Sequence, residues 1–205
     1  MIWLVQEDVI IAGRINIHGE DAINQGFAEP GPGGFRGGRP LSGAGITSPS
    51  AGLGPGGGHF NEHFGVYGVL PPPNNRTYGN EGVFPLIGGS GGAGLTQHAG
   101  GGGGGAILIA SNTTLRLSGL IQAYYNSGIN SSNRGSGGAV RLQAFHIIGT
   151  GNIVTSDSGN VRPGRVRLEG NTAGYTDGTV PVPPLWGRFS PFSPICRRHL
   201  LRSLA

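Results

Sequence analysis

The chain has 205 residues, with 43 glycines, 15 prolines and only 12% charged residues. So much Gly and Pro without an every-third-residue period excludes collagen, and so little charge argues against charge-driven disorder. No window reaches eighteen consecutive apolar residues, so the sequence offers no membrane-spanning helix.

All fourteen basic residues are Arg, and four of them (Arg188, Arg197, Arg198, Arg202) fall in the last eighteen residues, where no acid occurs. The remaining ten Arg balance ten acids, so the pI near 9.8 is a property of the tail. A nucleic-acid surface needs basic residues clustered along one face of the body, and none is evident. Cys196 is the single cysteine and permits no disulfide or thiolate framework within one chain. The N-terminal stretch has no basic leader region and is broken by Glu7-Asp8, so an export signal would have to lie upstream.

In chain order, four segments share one pattern. Ile2–Val5 is followed by Val9–Ile17; Ile107–Ala110 by Leu115–Ala123; Val140–Gln143 by Ile147–Ile153; Val166–Glu169 keeps only the opening. Gly13, Gly119 and Gly151 stand 11, 12 and 11 residues after Ile2, Ile107 and Val140. Within each segment the period is two: Ile107/Ile109, Val140/Leu142 and Val166/Leu168 point one way, and Leu108, Arg141 and Arg167 the other. Such alternation bounded by Gly and Asn predicts half-buried strands, whereas repeated internal glycines would cost a helix about 1 kcal/mol each. One such unit cannot bury its apolar face alone, but stacked units share a thin continuous core. The sequence therefore predicts an all-β stacked β-solenoid, a parallel β-helix, with residues 1–19 as its first unit and 106–180 as further units.

Residues 20–105 interrupt the repeat with Gly31-Pro32-Gly33-Gly34, Pro71-Pro72-Pro73 and Gly100 to Gly105. Two readings fit: an insertion without fixed structure, or a large Gly/Pro-rich loop lobe beside the coils, with extended threefold polyglycine segments. The punctuation by Phe27, Phe35, Phe60, Phe64, Tyr67, Tyr78, Phe84 and Leu86-Ile87 favours the lobe. Residues 181–205, rich in Pro and then Arg, share nothing with the repeats and read as a disordered tail.

The glycine runs 88–94, 100–105 and 135–138, the latter two leading straight into strand openings, resemble the glycine-rich repeat regions of large bacterial secreted and cell-surface proteins. The resemblance covers about residues 2–175. It implies an extracellular β-helical stalk or adhesin-like scaffold, similar in architecture to pectin-lyase-like coils, and does not imply lyase activity.

Several short motifs invite a catalytic reading. His59-Phe60-Asn61-Glu62-His63 fits the inverted zinc-protease pattern, but both imidazoles must share a helical face and glycines flank it on each side. The G-x-G-x-x-G and G-x-S-x-G matches within 88–94 are expected by chance in so glycine-rich a chain. With no Lys for a P-loop and no recurring Asp for a calcium nonapeptide, no metal or cofactor set is expected. Sequons stand at Asn75, Asn112 and Asn130.

The candidate ligand-binding residues are Tyr124, Tyr125, Arg141 and Arg167. Tyr124-Tyr125 (and Trp3) offer flat apolar faces on which a sugar ring could stack, with burial against a glycine loop as the competing role. Arg141 and Arg167 occupy one place in successive units and predict a solvated ladder; a polysaccharide lyase would want more acids than Glu169 and Asp157 beside them. The expected function is a non-enzymatic structural module of an exported surface protein, self-associating through its solenoid ends into filaments. A carbohydrate-binding or adhesin module is the alternative, with polysaccharide as partner.

Overall fold

In a computed structural model, residues 1–21, 26–41, 50–58, 78–125, 133–156 and 163–176 are described. They are all-β, with 36% in strands and no helix. The strands are β1 (Ile2–Val5), β2 (Val9–Ile11), β3 (Arg14–Asn16), β4 (Ala106–Ser111), β5 (Thr114–Leu117), β6 (Leu120–Gln122), β7 (Ala139–Gly149), β8 (Asn152–Val154) and β9 (Arg165–Tyr175).

Every pairing is parallel and joins one repeat to the next. β1, β4 and the first halves of β7 and β9 form one ladder; β2, β5 and the second halves of β7 and β9 form another; β3, β6 and β8 form a third. The resulting parallel sheet curls through 230°, a half-barrel consistent with a solenoid. Its concave side holds the core, in which Ile107, Ile109, Leu115, Leu117, Ile121, Val140, Leu142 and Ile147 are fully buried. These residues fall in lanes that run from rung to rung, such as Ile109–Leu142–Leu168 and Ile15–Ile121–Ile153.

The register differs from the sequence expectation at two places. Ile2 aligns with Leu108 rather than Ile107, so Trp3 takes the lane of Ile109 and Leu142. Ile-Trp-Leu-Val is apolar throughout, and without alternation the sequence gives no face to a strand. The fourth unit also runs further than its opening: β9 continues beside β7 through His146–Asn171 and Gly149–Tyr175. In residues 170–175 the strand-disfavouring Gly170, Asn171, Ala173 and Gly174 outnumber Thr172 and Tyr175, and the strand there follows its β7 partner.

Glycine recurs where rungs turn. Gly13, Gly119 and Gly151 stack at the corner between the second and third ladders, with the amides of Leu120 and Asn152 donating to the carbonyls of Gly13 and Gly119 at 2.9 Å each. Gly105, Gly138 and Gly164 stack likewise at the entry to the first ladder.

The run 100–105 is buried and hydrogen-bonded with a period of three. Gly100 and Gly103 donate to Gly38 and Phe35, Gly101 and Gly104 to Asn133 and Ser136, and Gly102 and Gly105 to Glu20 and Ile17. Donors that turn by a third of a circle per residue and never bond within their own segment are the signature of an extended threefold chain. Run 88–94 lies beside it, with Gly89 and Gly92 donating to Gly104 and Gly101. In this interior a side chain would displace a neighbouring backbone: a β-carbon on Gly103 would stand 1.9 Å from the carbonyl oxygen of Gly89.

Candidate functional site

The four candidate residues fall at two separate places. Tyr124 and Tyr125 follow β6, where the third ladder leaves the coil. Tyr124 is partly exposed, and its ring lies against His18 with centroids 5.3 Å apart. The two belong to successive rungs: the amides of Ile17 and Gly19 donate to the carbonyls of Gln122 and Tyr124. The His18 Nδ1 lies 2.8 Å from the Gly19 carbonyl, which fixes the ring beside Tyr124. His18 stands five residues after Gly13 and Tyr124 five after Gly119, so their contact was implicit in the repeat.

Tyr125 is fully buried, with the Arg134 guanidinium 6.0 Å from its ring centroid. Adjacent residues of an extended chain point to opposite sides, so only one of the two rings could reach solvent here. Tyr125 takes the competing role, burial in the core, and of the two tyrosines Tyr124 keeps a partly exposed ring.

Arg141 and Arg167 are register partners on the convex side of the first ladder, as the alternation predicted. They are not a solvated ladder. Their side chains are 20% and 16% exposed, and Glu169, at 17%, pairs with both. Neighbouring parallel strands lie about 4.8 Å apart, so two guanidinium groups at one register position repel unless an anion sits beside them. Glu169 supplies it: the Arg141 Nη2 stands 2.9 Å from Glu169 Oε1 and 3.1 Å from Oε2.

The cover over this cluster comes from residues 78–87. Val83, Tyr78 and Leu86 pack on Ala106 and Ala139, and Arg167 Nη1 donates to the Glu81 carbonyl at 3.0 Å. Asn80 holds the turn, its Nδ2 donating to the Phe84 carbonyl, with Phe84 left 72% exposed at the tip. No periodicity marks this segment, and its docking was not legible beforehand. Tyr78 also reaches inward: its hydroxyl donates to the Gly88 carbonyl at 2.7 Å and receives a bond from the buried Ser90 hydroxyl at 3.0 Å.

Elsewhere the titratable groups are dispersed. Asp8, in the turn between β1 and β2, accepts from the Thr113 hydroxyl at 2.5 Å and the Thr114 amide at 3.1 Å. These bonds, the Thr113 hydroxyl first, hold its carboxyl below the usual carboxylate range. Among the described residues no group of three or more His, Cys, Asp or Glu is placed to hold a metal ion, and no helix is long and apolar enough to cross a membrane. The His59–His63 motif, the sequons at Asn75 and Asn130, Asp157 and the 181–205 tail with Cys196 lie outside the described residues.

Comparison with protein-family models, curated proteins and solved structures gives no match to this chain.

Proposed function

We propose that this chain is a non-enzymatic structural module of an exported, cell-surface protein: a parallel β-helix whose coils serve as a rigid scaffold and self-associate through an end of the stack. The observation that carries this reading is the continuity of the three parallel ladders, each passing strand to strand from one repeat to the next. A body built this way resists bending because successive rungs are joined through parallel ladders, and it lengthens by simple addition of rungs. On this reading residues 1–19 and 106–180 are the coils, 20–105 a glycine-rich lobe that braces them, and 181–205 a tail. The resemblance to glycine-rich bacterial surface proteins supports an extracellular setting.

The test is negative-stain microscopy with limited proteolysis of the full chain, together with surface labelling of the cells that produce it. Rigid particles, a protease-resistant body and surface label are expected. An expanded, rapidly digested chain, or label confined to the cell interior, would overturn the reading.

A second reading, a carbohydrate-binding or adhesin module, is favoured by one observation: Tyr124 keeps a partly exposed ring braced by His18. Affinity electrophoresis in gels containing polysaccharides tests it, with retardation expected for the wild-type chain and lost in Tyr124→Ala. Equal migration of the two with every polysaccharide overturns it.

A further inference from the structure

The carbohydrate-binding reading, on which this inference rests, fixes one aromatic ring and leaves open the class of saccharide and the rest of its footprint. The third ladder, β3–β6–β8, turns Ile15, Ile121 and Ile153 towards the core and the residues between them outward. Its outer face sets Asn16 and Gln122 side by side in register, with Asn152 on the next rung. Two residues past Gln122, Tyr124 lies against His18. The outer faces of the other ladders are of different chemistry. The first carries the Arg141–Arg167–Glu169 cluster beneath residues 78–87, and the second carries Ile10, Arg116 and Ile148. On the third face the Asn16 Oδ1 accepts from the His18 amide at 3.4 Å, while the carboxamides of Gln122 and Asn152 and the Tyr124 hydroxyl bond to no other described residue.

We propose that this face is a subsite for a neutral polysaccharide, one sugar ring stacking on Tyr124 and the chain continuing along β6 over Gln122 and Asn16. A carboxamide has both donors and an acceptor, as a sugar hydroxyl does, so the two pair in either sense. The Tyr124 ring offers a flat apolar face to the C–H groups of a sugar. His18, its centroid 5.3 Å away, braces that ring beforehand, so little rotamer freedom is lost on binding. Gln122 stands roughly 7 Å from Tyr124 along the chain, and Asn16 about 4.8 Å across from Gln122. That spacing brings the hydroxyls of the next sugar within reach of both carboxamides. Charge selects a neutral polymer over an acidic one: β3, β6 and β8 contain no acid and one basic residue, Arg14, at a corner of the face. A protein partner would need a contiguous apolar centre, whereas Leu120 and Val154 alternate here with Gln122 and Asn152.

The test is affinity electrophoresis of the full chain in gels containing galactomannan, hydroxyethyl cellulose or polygalacturonate. Retardation by a neutral polymer and none by polygalacturonate is expected. Gln122→Ala and Asn16→Ala should each weaken binding about three- to tenfold, the scale of one hydrogen bond. Their circular dichroism and thermal midpoints should match wild type, because both side chains lie outside the core. Arg116→Ala, on the outer face of the second ladder, should bind as wild type does. Retardation lost in Tyr124→Ala but kept in Gln122→Ala and Asn16→Ala would overturn the proposed footprint and leave the carbohydrate reading standing. Salt-sensitive retardation by polygalacturonate alone would overturn the neutral ligand, again leaving that reading in place. Wild-type chain unretarded in every gel would overturn both.

Discussion

A β-carbon on Gly119 would stand 2.0 Å from the carbonyl oxygen of Gly13 in the preceding rung. That oxygen is held by the Leu120 amide and cannot retreat without loss of a ladder bond. Gly119→Ala therefore forces two rungs apart at the corner, and a destabilisation of about 1–3 kcal/mol is expected, the usual scale of overpacking. Gly13 begins the column, and a β-carbon there would meet nothing within 4 Å. Gly13→Ala should leave the thermal midpoint within about 2 °C of wild type, whereas Gly119→Ala lowers it by roughly 2–4 °C per kcal/mol lost. Equal effects from the two substitutions would contradict the stacked corner.

Glu169 is the only carboxylate among the described residues that pairs with the Arg141–Arg167 column. Glu169→Gln removes the carboxylate that the two partly buried guanidinium groups share. Hydrogen bonds to charged groups contribute about 1.5–3 kcal/mol when sheltered, and a loss of that size is expected from urea unfolding. The exposed pair Arg36–Glu29, each side chain about half in solvent, provides the contrast. Arg36→Gln should cost under about 1 kcal/mol.

Asp8 confers an acid limb on stability. Its folded-state pKa lies below the unfolded value, so its stabilisation is complete above the unfolded pKa of about 3.9 and is lost as pH falls through the folded value. Asp8→Asn removes that titration. The fall in thermal midpoint from pH 5 towards pH 2 should be shallower in Asp8→Asn than in wild type, and parallel curves would rule out the Thr113–Thr114 bonds as its source.

The adjacent tyrosines separate binding from packing. Tyr125→Ala empties a fully buried site and should destabilise by about 3–5 kcal/mol, on the scale of aromatic truncations in cores. Tyr124→Ala removes a ring that touches His18 at the surface and should cost under about 1 kcal/mol. Differential scanning calorimetry of both variants decides this, and a larger loss in Tyr124→Ala would reverse the assignment.

The strands of the second and third repeats were legible because Ile107-Leu108-Ile109 and Val140-Arg141-Leu142 alternate cleanly, and alternation encodes both strand and face. Gly13, Gly119 and Gly151 were legible as a column because their spacing hardly varies. Ile2–Val5 pairs one residue away from the alignment of openings, Ile2 with Leu108, since four apolar residues in a row leave the face undetermined until a neighbour supplies it. The state of Arg141 and Arg167 was legible only in direction. What shields them is residues 78–87, whose docking depends on contacts with Ala106 and Ala139 far along the chain. Composition records the rings of Tyr124 and Tyr125 but not the side of the chain from which each projects.

The threefold bonding of residues 100–105 also dictates when the chain can fold. Its donors end at Ile17, Glu20, Phe35, Gly38, Asn133 and Ser136, in segments that lie before and after it. No isolated part of the chain contains the set, and six glycines have no side chains with which to hold a provisional shape. On a translating ribosome the run must stay unbonded along one side until residue 136 has emerged, long after residues 17–38 are available. Closing such distant contacts together is slow. The amides of 100–105 should therefore be protected late in refolding and in a single step, as the last stitch of the structure rather than its seed.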